Sequence, residues 1–225
     1  MTDGYDLWLF DLDGTLVDVE REYALSVIEQ TGQKIDYRFT EEEALQLWYG
    51  LGGAPEDHLR RRGVDPIDFW EAFHVVEDPE TRLSHTYLYA DAEVVSDIGS
   101  PVGLVTHCQP YLAEPVLEAL DIADWFDVII CCNDEIGWKP DPRPIEQAMR
   151  GLGAPADATG ALVGDSPGDI GAAWNAGLDG IHLERHGHDA RGCCIRADVR
   201  LTGCDELPFR EGYNHGSSVA SAADD

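Results

Sequence analysis

Basic charge is what this 225-residue chain has least of: 15 Lys and Arg stand against 44 Asp and Glu, for a formal net charge of −29. Only Lys34 and Lys139 are lysines. A surface this acidic repels nucleic acid and anionic membranes. No apolar run approaches the length of a membrane span, and the acidic N-terminus lacks the basic and apolar regions of a signal peptide. The reading is a cytoplasmic protein without nucleic-acid or membrane partners. The six cysteines include two adjacent pairs and no CxxC spacing, a poor disulfide framework that fits a reducing compartment. His186, His188, Cys193 and Cys194 lie close together but match no usual zinc spacing, so loop and strand residues are the reading preferred over a metal clip.

The acidity is spread along the chain rather than gathered in a tail, so it does not resemble an interaction arm. Distributed carboxylates with almost no lysine suit concentrated salt, where screening over roughly 3 Å at 1 M removes most self-repulsion. The hypothesis is a halophilic protein, and a melting curve indifferent to molar KCl contradicts it. With 44% hydrophobic residues the chain can bury a core, and its length suits one generous domain or a core domain with a small insertion.

Apolar runs alternate with helical stretches, which predicts a parallel sheet flanked by helices. The strand candidates are Leu7–Phe10, Val102–Val105, Val128–Cys132, Ala161–Val163 and Gly180–Leu183, with a weaker one near Asp198–Leu201. Helical patterns cover Tyr111–Leu120, Pro144–Leu152 and Ile170–Ala176. From about Val19 to Ala90 the rhythm breaks into helix signals alone. Val19, Tyr23, Val27 and Ile28 share a helical face, with Gly32 as the expected stop. Thr40 to Glu43 has the spacing of a capping box, and Asp65-Pro66 opens a further helix. That is far more than a crossover between parallel strands needs, so a helical insertion is expected. The small, polar segment from Glu211 onward reads as a disordered tail.

The first apolar run ends on Asp11 and Asp13, followed by Gly14 and Thr15. Buried carboxylates are costly, so a pair at a strand end usually has a cation, a proton or a reacting group as partner. If the strand runs through Asp13, both carboxylates face one site; if it stops at Asp11, Gly14 lets the backbone curl round a ligand. An Asp-Gly turn is the bland alternative. Three further signals follow apolar runs: Thr106 and His107, then Lys139 in WKPDP, then GDSPGD with Asp165 and Asp169. Each alone has an ordinary explanation, as a strand end, a solvated lysine or an Asx-turn cap. Four in this order, each after its own strand, would converge on the crevice where open parallel sheets bind ligands. Carboxylate and carbonyl oxygens suit Mg²⁺, and a hydroxyl and a lysine suit phosphate. One carboxylate near the metal and the lysine could attack phosphorus while its neighbour moves the proton.

DLDGTLV, Thr106, Lys139 in WKPDP and GDSPGD resemble the four ordered motifs of the haloacid dehalogenase-like hydrolase superfamily, and most closely its phosphoglycolate phosphatase-like members. The resemblance covers roughly residues 5 to 208 and implies an α/β fold: a Rossmann-like, three-layer parallel-sheet core with an inserted α-helical cap. Residues 1–18 and 91–210 would form the core and 19–90 the cap. It implies a Mg²⁺-dependent phosphatase acting on a small phosphorylated metabolite, as a monomer or homodimer. Asp11 would be the nucleophile, forming an aspartyl-phosphate. Asp13 would be the general acid/base and lend its carbonyl to the metal. Gly14, Thr15, Thr106 and Lys139 would hold the phosphate, with His107 beside them where many relatives have Asn. Asp11, Asp13 and Asp165 would ligate Mg²⁺, and Asp169 would be either a ligand through water or a partner of Lys139. Val19 stands where capped relatives often have Ser.

Dehalogenases of the superfamily need no metal, which would leave Asp13 and Asp165 unexplained. A sugar-phosphate mutase shares all the core groups, and a catalytically silent binding or regulatory protein is the alternative from another class. Specificity is expected in the cap. Trp48, Tyr49 and Gly50 open an aromatic-glycine stretch that is either a substrate loop or a helix end packed into the cap core. Arg60, Arg61 and Arg62 are either contacts for a substrate anion or a solvated helix face.

Overall fold

The computed structural model describes residues 4–155, 157–192 and 194–208. The expected tail from Glu211 onward, and Cys193 of the candidate metal clip, lie outside them.

β1 (Leu7–Phe10) sits at the centre of the molecule with all four residues buried. Alternate side chains point to opposite faces of a strand. Trp8 and Phe10 therefore enter one apolar layer, with Leu104, Leu112 and Ile181. Leu7 and Leu9 enter the other, with Ile145, Ala148 and Ala172. Burial on both faces is the mark of a parallel sheet covered by helices.

The chain leaves β1 through a short loop into β2 (Val17–Val19) and then runs through five helices: α1 (Arg21–Lys34), α2 (Glu41–Trp48), α3 (Pro55–Arg61), α4 (Pro66–Val76) and α5 (Pro79–His85). It returns along β3 (Thr86–Leu88), antiparallel to β2 with Val17 opposite Leu88. The sheet then grows by β4 (Val102–Thr106), α6 (Pro110–Ala119), β5 (Val128–Cys131), α7 (Arg143–Gly151), β6 (Gly160–Gly164), α8 (Pro167–Asn175), β7 (Asp179–Leu183), the short α9 (His188–Arg191) and β8 (Val199–Leu201). The strand order is β5-β4-β1-β6-β7-β8, and every adjacent pair is parallel. This is the helix-flanked parallel sheet expected from the alternation and the α/β, Rossmann-like three-layer fold that the resemblance implies.

Helices α1 to α4 pack round their own apolar cluster of Ile28, Leu47, Leu59 and Phe69, whereas α5 lays Leu83 against the core of the sheet. Thr40 and Glu43 form the capping box of α2, and Asp65 caps α4 ahead of Pro66. Two expectations for this stretch are corrected. The segment is not bounded by helices alone, since β2 and β3 form a two-stranded ribbon at its exit and return; three-residue strands are too short to show a period-two pattern. Gly32 does not stop α1, which continues to Lys34. It is a packing glycine: a Cβ there would lie 2.4 Å from the Tyr37 carbonyl oxygen.

Candidate active site

Because β1, β4 and β6 are parallel neighbours, their C-terminal ends share one edge of the sheet. Asp11 follows β1, Thr106 ends β4, and Asp165 follows β6. The Asp11 amide donates to the Val163 carbonyl at 2.9 Å, which keeps Asp11 in register with β6 after the strand has ended. The next residues turn sharply, with the Leu16 amide returning to the Leu12 carbonyl and the Gly14 amide to Val17. Gly14 has φ +73°, and a Cβ there would lie 2.7 Å from an Asp165 carboxylate oxygen. Only glycine serves both demands.

Lys139 is buried and spends its ammonium on three acceptors: Asp11 Oδ1 at 2.8 Å, Asp169 Oδ1 at 2.6 Å and the Val105 carbonyl at 2.9 Å. Asp169 is held from its other oxygen by the capping box of α8, accepting from the Ser166 amide at 3.0 Å and its hydroxyl at 2.6 Å. Asp169 is thus at once a helix cap and a partner of Lys139. The Lys139 amide donates to His107 Nε2 at 2.9 Å, so the imidazole orients the lysine's backbone from a neutral acceptor nitrogen. Thr106 is buried, and its hydroxyl oxygen accepts the Cys108 amide at 3.0 Å. Thr15 is buried, with its carbonyl accepting Arg185 Nη2 at 2.6 Å.

Asp11, Asp165 and Asp169 each offer a carboxylate oxygen, all within 4.8 Å of one another. Burial pushes the Asp11 carboxyl up to about 7 against the pull of Lys139. Burial, then the charges of Asp169 and Asp11, push Asp165 well above the usual carboxylate range. Burial acts on Asp169 too, but Lys139 and the Ser166 hydrogen bonds outweigh it and hold that carboxyl low. Lys139 is held above its usual value because its two carboxylates outweigh burial. Three buried carboxylates meet one ammonium in direct contact and the Glu184-paired guanidinium of Arg191 at 3.9 Å, which leaves negative charge that burial makes costly. All-oxygen donors of this kind, with Gly14 yielding room beside Asp165, fit a hard divalent cation such as Mg²⁺. The other candidate clip has no such geometry: Cys194 Sγ lies 4.0 Å from His188 Nδ1. Among the described residues it does not appear as a metal-holding group.

Two arginines border the cluster that the sequence does not single out. Arg191, 1% exposed, donates from Nε to Glu184 at 2.7 Å, and its Nη2 lies 3.9 Å from Asp165 Oδ2. Arg82, from α5, donates to Asp13 and to Glu77. Neither carries a local signal, since each is a single arginine in a polar helical turn. Tyr49 brings its ring to His186, with centroids 4.2 Å apart, and the Gly52 amide donates to the Arg191 carbonyl at 2.8 Å. Trp48 packs edge-on against Tyr23 within the helical lobe. Gly50 has φ +58° and open space around it. Arg60 pairs with Asp57, Arg61 bonds the Asp57 carbonyl, and Arg62 spans Glu43, Gln46 and the His58 carbonyl. All three arginines are thus bonded within the lobe.

Fold and site together define a class, a doubly wound α/β protein with an aspartate cluster at the carboxyl edge of its sheet. The chain belongs to the haloacid dehalogenase-like hydrolases, whose family profile matches residues 8–182. It is 28% identical over 191 residues to a phosphoglycolate phosphatase of Colwellia psychrerythraea, covering 79% of this chain and 84% of that protein. It is 26% identical over 174 residues to the pyrophosphatase PpaX of Halalkalibacterium halodurans, covering 76% and 79%. Among solved structures it is similar to a haloacid dehalogenase-like hydrolase of Streptococcus pneumoniae, with a TM-score of 0.69, 17% identity and coverage of 88% and 94%. A second is a HAD phosphatase of Thermococcus onnurineus, at TM-score 0.63, 24% identity and coverage of 92% and 97%.

Proposed function

We propose that this chain is a Mg²⁺-dependent phosphatase that hydrolyses a small phosphate monoester through an aspartyl-phosphate on Asp11. The observation that carries the reading is the Lys139 bridge between Asp11 and Asp169, with Asp165 completing a buried carboxylate cluster at the strand ends.

Lys139 fixes one Asp11 oxygen, leaving the other to attack phosphorus as the bond to the ester oxygen breaks. Asp13 gives its proton to the departing oxygen. It then takes one from the water that attacks phosphorus and releases Asp11. The Thr106 hydroxyl proton is the donor for a phosphoryl oxygen, since its oxygen accepts from Cys108, while the Lys139 ammonium and the amides of Gly14 and Thr15 would reach phosphate by exchanging acceptors they now hold in the protein. Asp11, Asp165 and the Asp13 carbonyl would hold the Mg²⁺, with Asp169 ligating through water or acting only through Lys139. When bound, the metal offsets the charge of these carboxylates and of the phosphoryl group. The printed names of the relatives, a phosphoglycolate phosphatase and a pyrophosphatase, support phosphoryl-ester or anhydride substrates.

In this reading residues 19–90 act as a cap over a core of 1–18 and 91–210. The contacts of Tyr49 with His186 and of Gly52 with Arg191 support a lobe that shields the phospho-enzyme from bulk water. The extreme acidity supports a protein of a salty cytoplasm. The test is Mg²⁺-dependent release of phosphate from p-nitrophenyl phosphate in molar KCl. Asp11→Asn is expected to lower kcat by about 10³-fold or more while the protein stays folded. Undiminished turnover in that variant contradicts the reading.

A further inference from the structure

Arg82 is almost wholly buried, 3% exposed, in the last turn of α5. Burying a guanidinium costs several kcal/mol unless carboxylates meet it. Two do so. Nη1 donates at 2.7 Å to Glu77, which closes the C-terminal end of α4 and is itself buried. Nη2 donates to Oδ1 of Asp13, 69 residues away in sequence and across the joint between helical lobe and sheet. The result is an ion chain, Glu77–Arg82–Asp13, with both outer carboxylates supplied by different lobes. The Asp13 side chain remains 40% exposed, so the carboxyl is gripped at one oxygen and still accessible.

This contact falls on the carboxyl that the proposed reaction uses to give a proton to the departing oxygen and take one from water. Asp13 lies on a loop outside β1, next to a glycine at positive φ, so β1 itself does not fix its side chain. A planar guanidinium, itself anchored by Glu77, sets the direction of a carboxylate more tightly than a point charge does. One guanidinium thus ties the end of α4 to the Asp13 carboxylate.

We propose that Arg82, backed by Glu77, is a positioning residue that orients Asp13 for proton transfer when the helical lobe lies against the sheet. The inference rests on the phosphatase reading of Asp11 and Asp13. It bears most directly on the second half of the reaction, where water forms the new O–P bond, Asp13 receives the water proton and the P–O bond to Asp11 breaks. p-Nitrophenolate leaves readily without a proton, so its first release depends little on Asp13.

The experiment is rapid-mixing kinetics with p-nitrophenyl phosphate and Mg²⁺ on the full chain. The proteins are wild type, Asp11→Asn, Arg82→Lys, and Arg82→Met combined with Glu77→Gln so that no buried charge is left alone. In the double variant, first-turnover release is expected within about fivefold of wild type, while steady-state turnover falls about 10²-fold, giving a burst of p-nitrophenolate. Arg82→Lys, which keeps the charge but loses the fork, is expected to fall between the two. A merely structural role would depress burst and steady state together, and that result, or no change in either, overturns the inference. If wild type is inert, or Asp11→Asn remains active, the phosphatase reading fails and the inference falls with it.

Discussion

Lys139 shows how one residue can set the chemistry of a site. One ammonium meets two of three buried carboxylates, and the third, Asp165, has only the Arg191 guanidinium 3.9 Å away, itself already paired with Glu184. Asp11 and Asp165 both have folded-state pKa values above their ordinary ones, chiefly through burial. The folded chain therefore holds more protons than the unfolded chain from about pH 4 toward neutrality, and metal-free stability falls as pH rises through that window. Mg²⁺ should reverse the loss. Asp165→Asn should raise the metal-free melting temperature near pH 7.5 by about 2–4 °C and shrink the Mg²⁺-induced rise. Melting scans with and without chelator check this, and a metal-free melting point that is flat with pH contradicts it. At this scale the sequence was informative where a residue follows a strand: Asp11, Thr106 and Asp165 each end an apolar run. It was silent on Arg82 and Arg191, whose roles come from burial beside groups far away in the chain.

Among the elements, the strands of the parallel sheet were legible almost to their ends, because strands buried on both faces are short, continuous apolar runs bounded by turns. Helix starts were legible where capping chemistry is local, as at Thr40 and Asp65. α3 and α5, of seven residues each, were not, since a single turn or two leaves no periodicity to read. The β2–β3 ribbon escaped for the same reason. Its pairing joins Val17 to Leu88, a contact that only the folded lobe brings together. Gly32 misled because a glycine after an apolar helical face has two explanations, a stop or a close approach, and the deciding atom is the Tyr37 carbonyl.

For the whole molecule, the formal charge of −29 has to coexist with a compact fold. At low ionic strength its self-repulsion opposes folding, and salt within a Debye length relieves it. The melting temperature should therefore climb through molar KCl, and an unchanged or falling value would count against adaptation to salt. Those conditions also suit the assay that asks whether Asp11 carries the phosphoryl group between ester and water. The direct measurement is acid quenching during turnover of p-nitrophenyl phosphate with Mg²⁺ in molar KCl, followed by peptide mapping of the trapped label. Phosphate is expected on the peptide bearing Asp11 and none in Asp11→Asn. Label on another residue, or full turnover by Asp11→Asn, would contradict it.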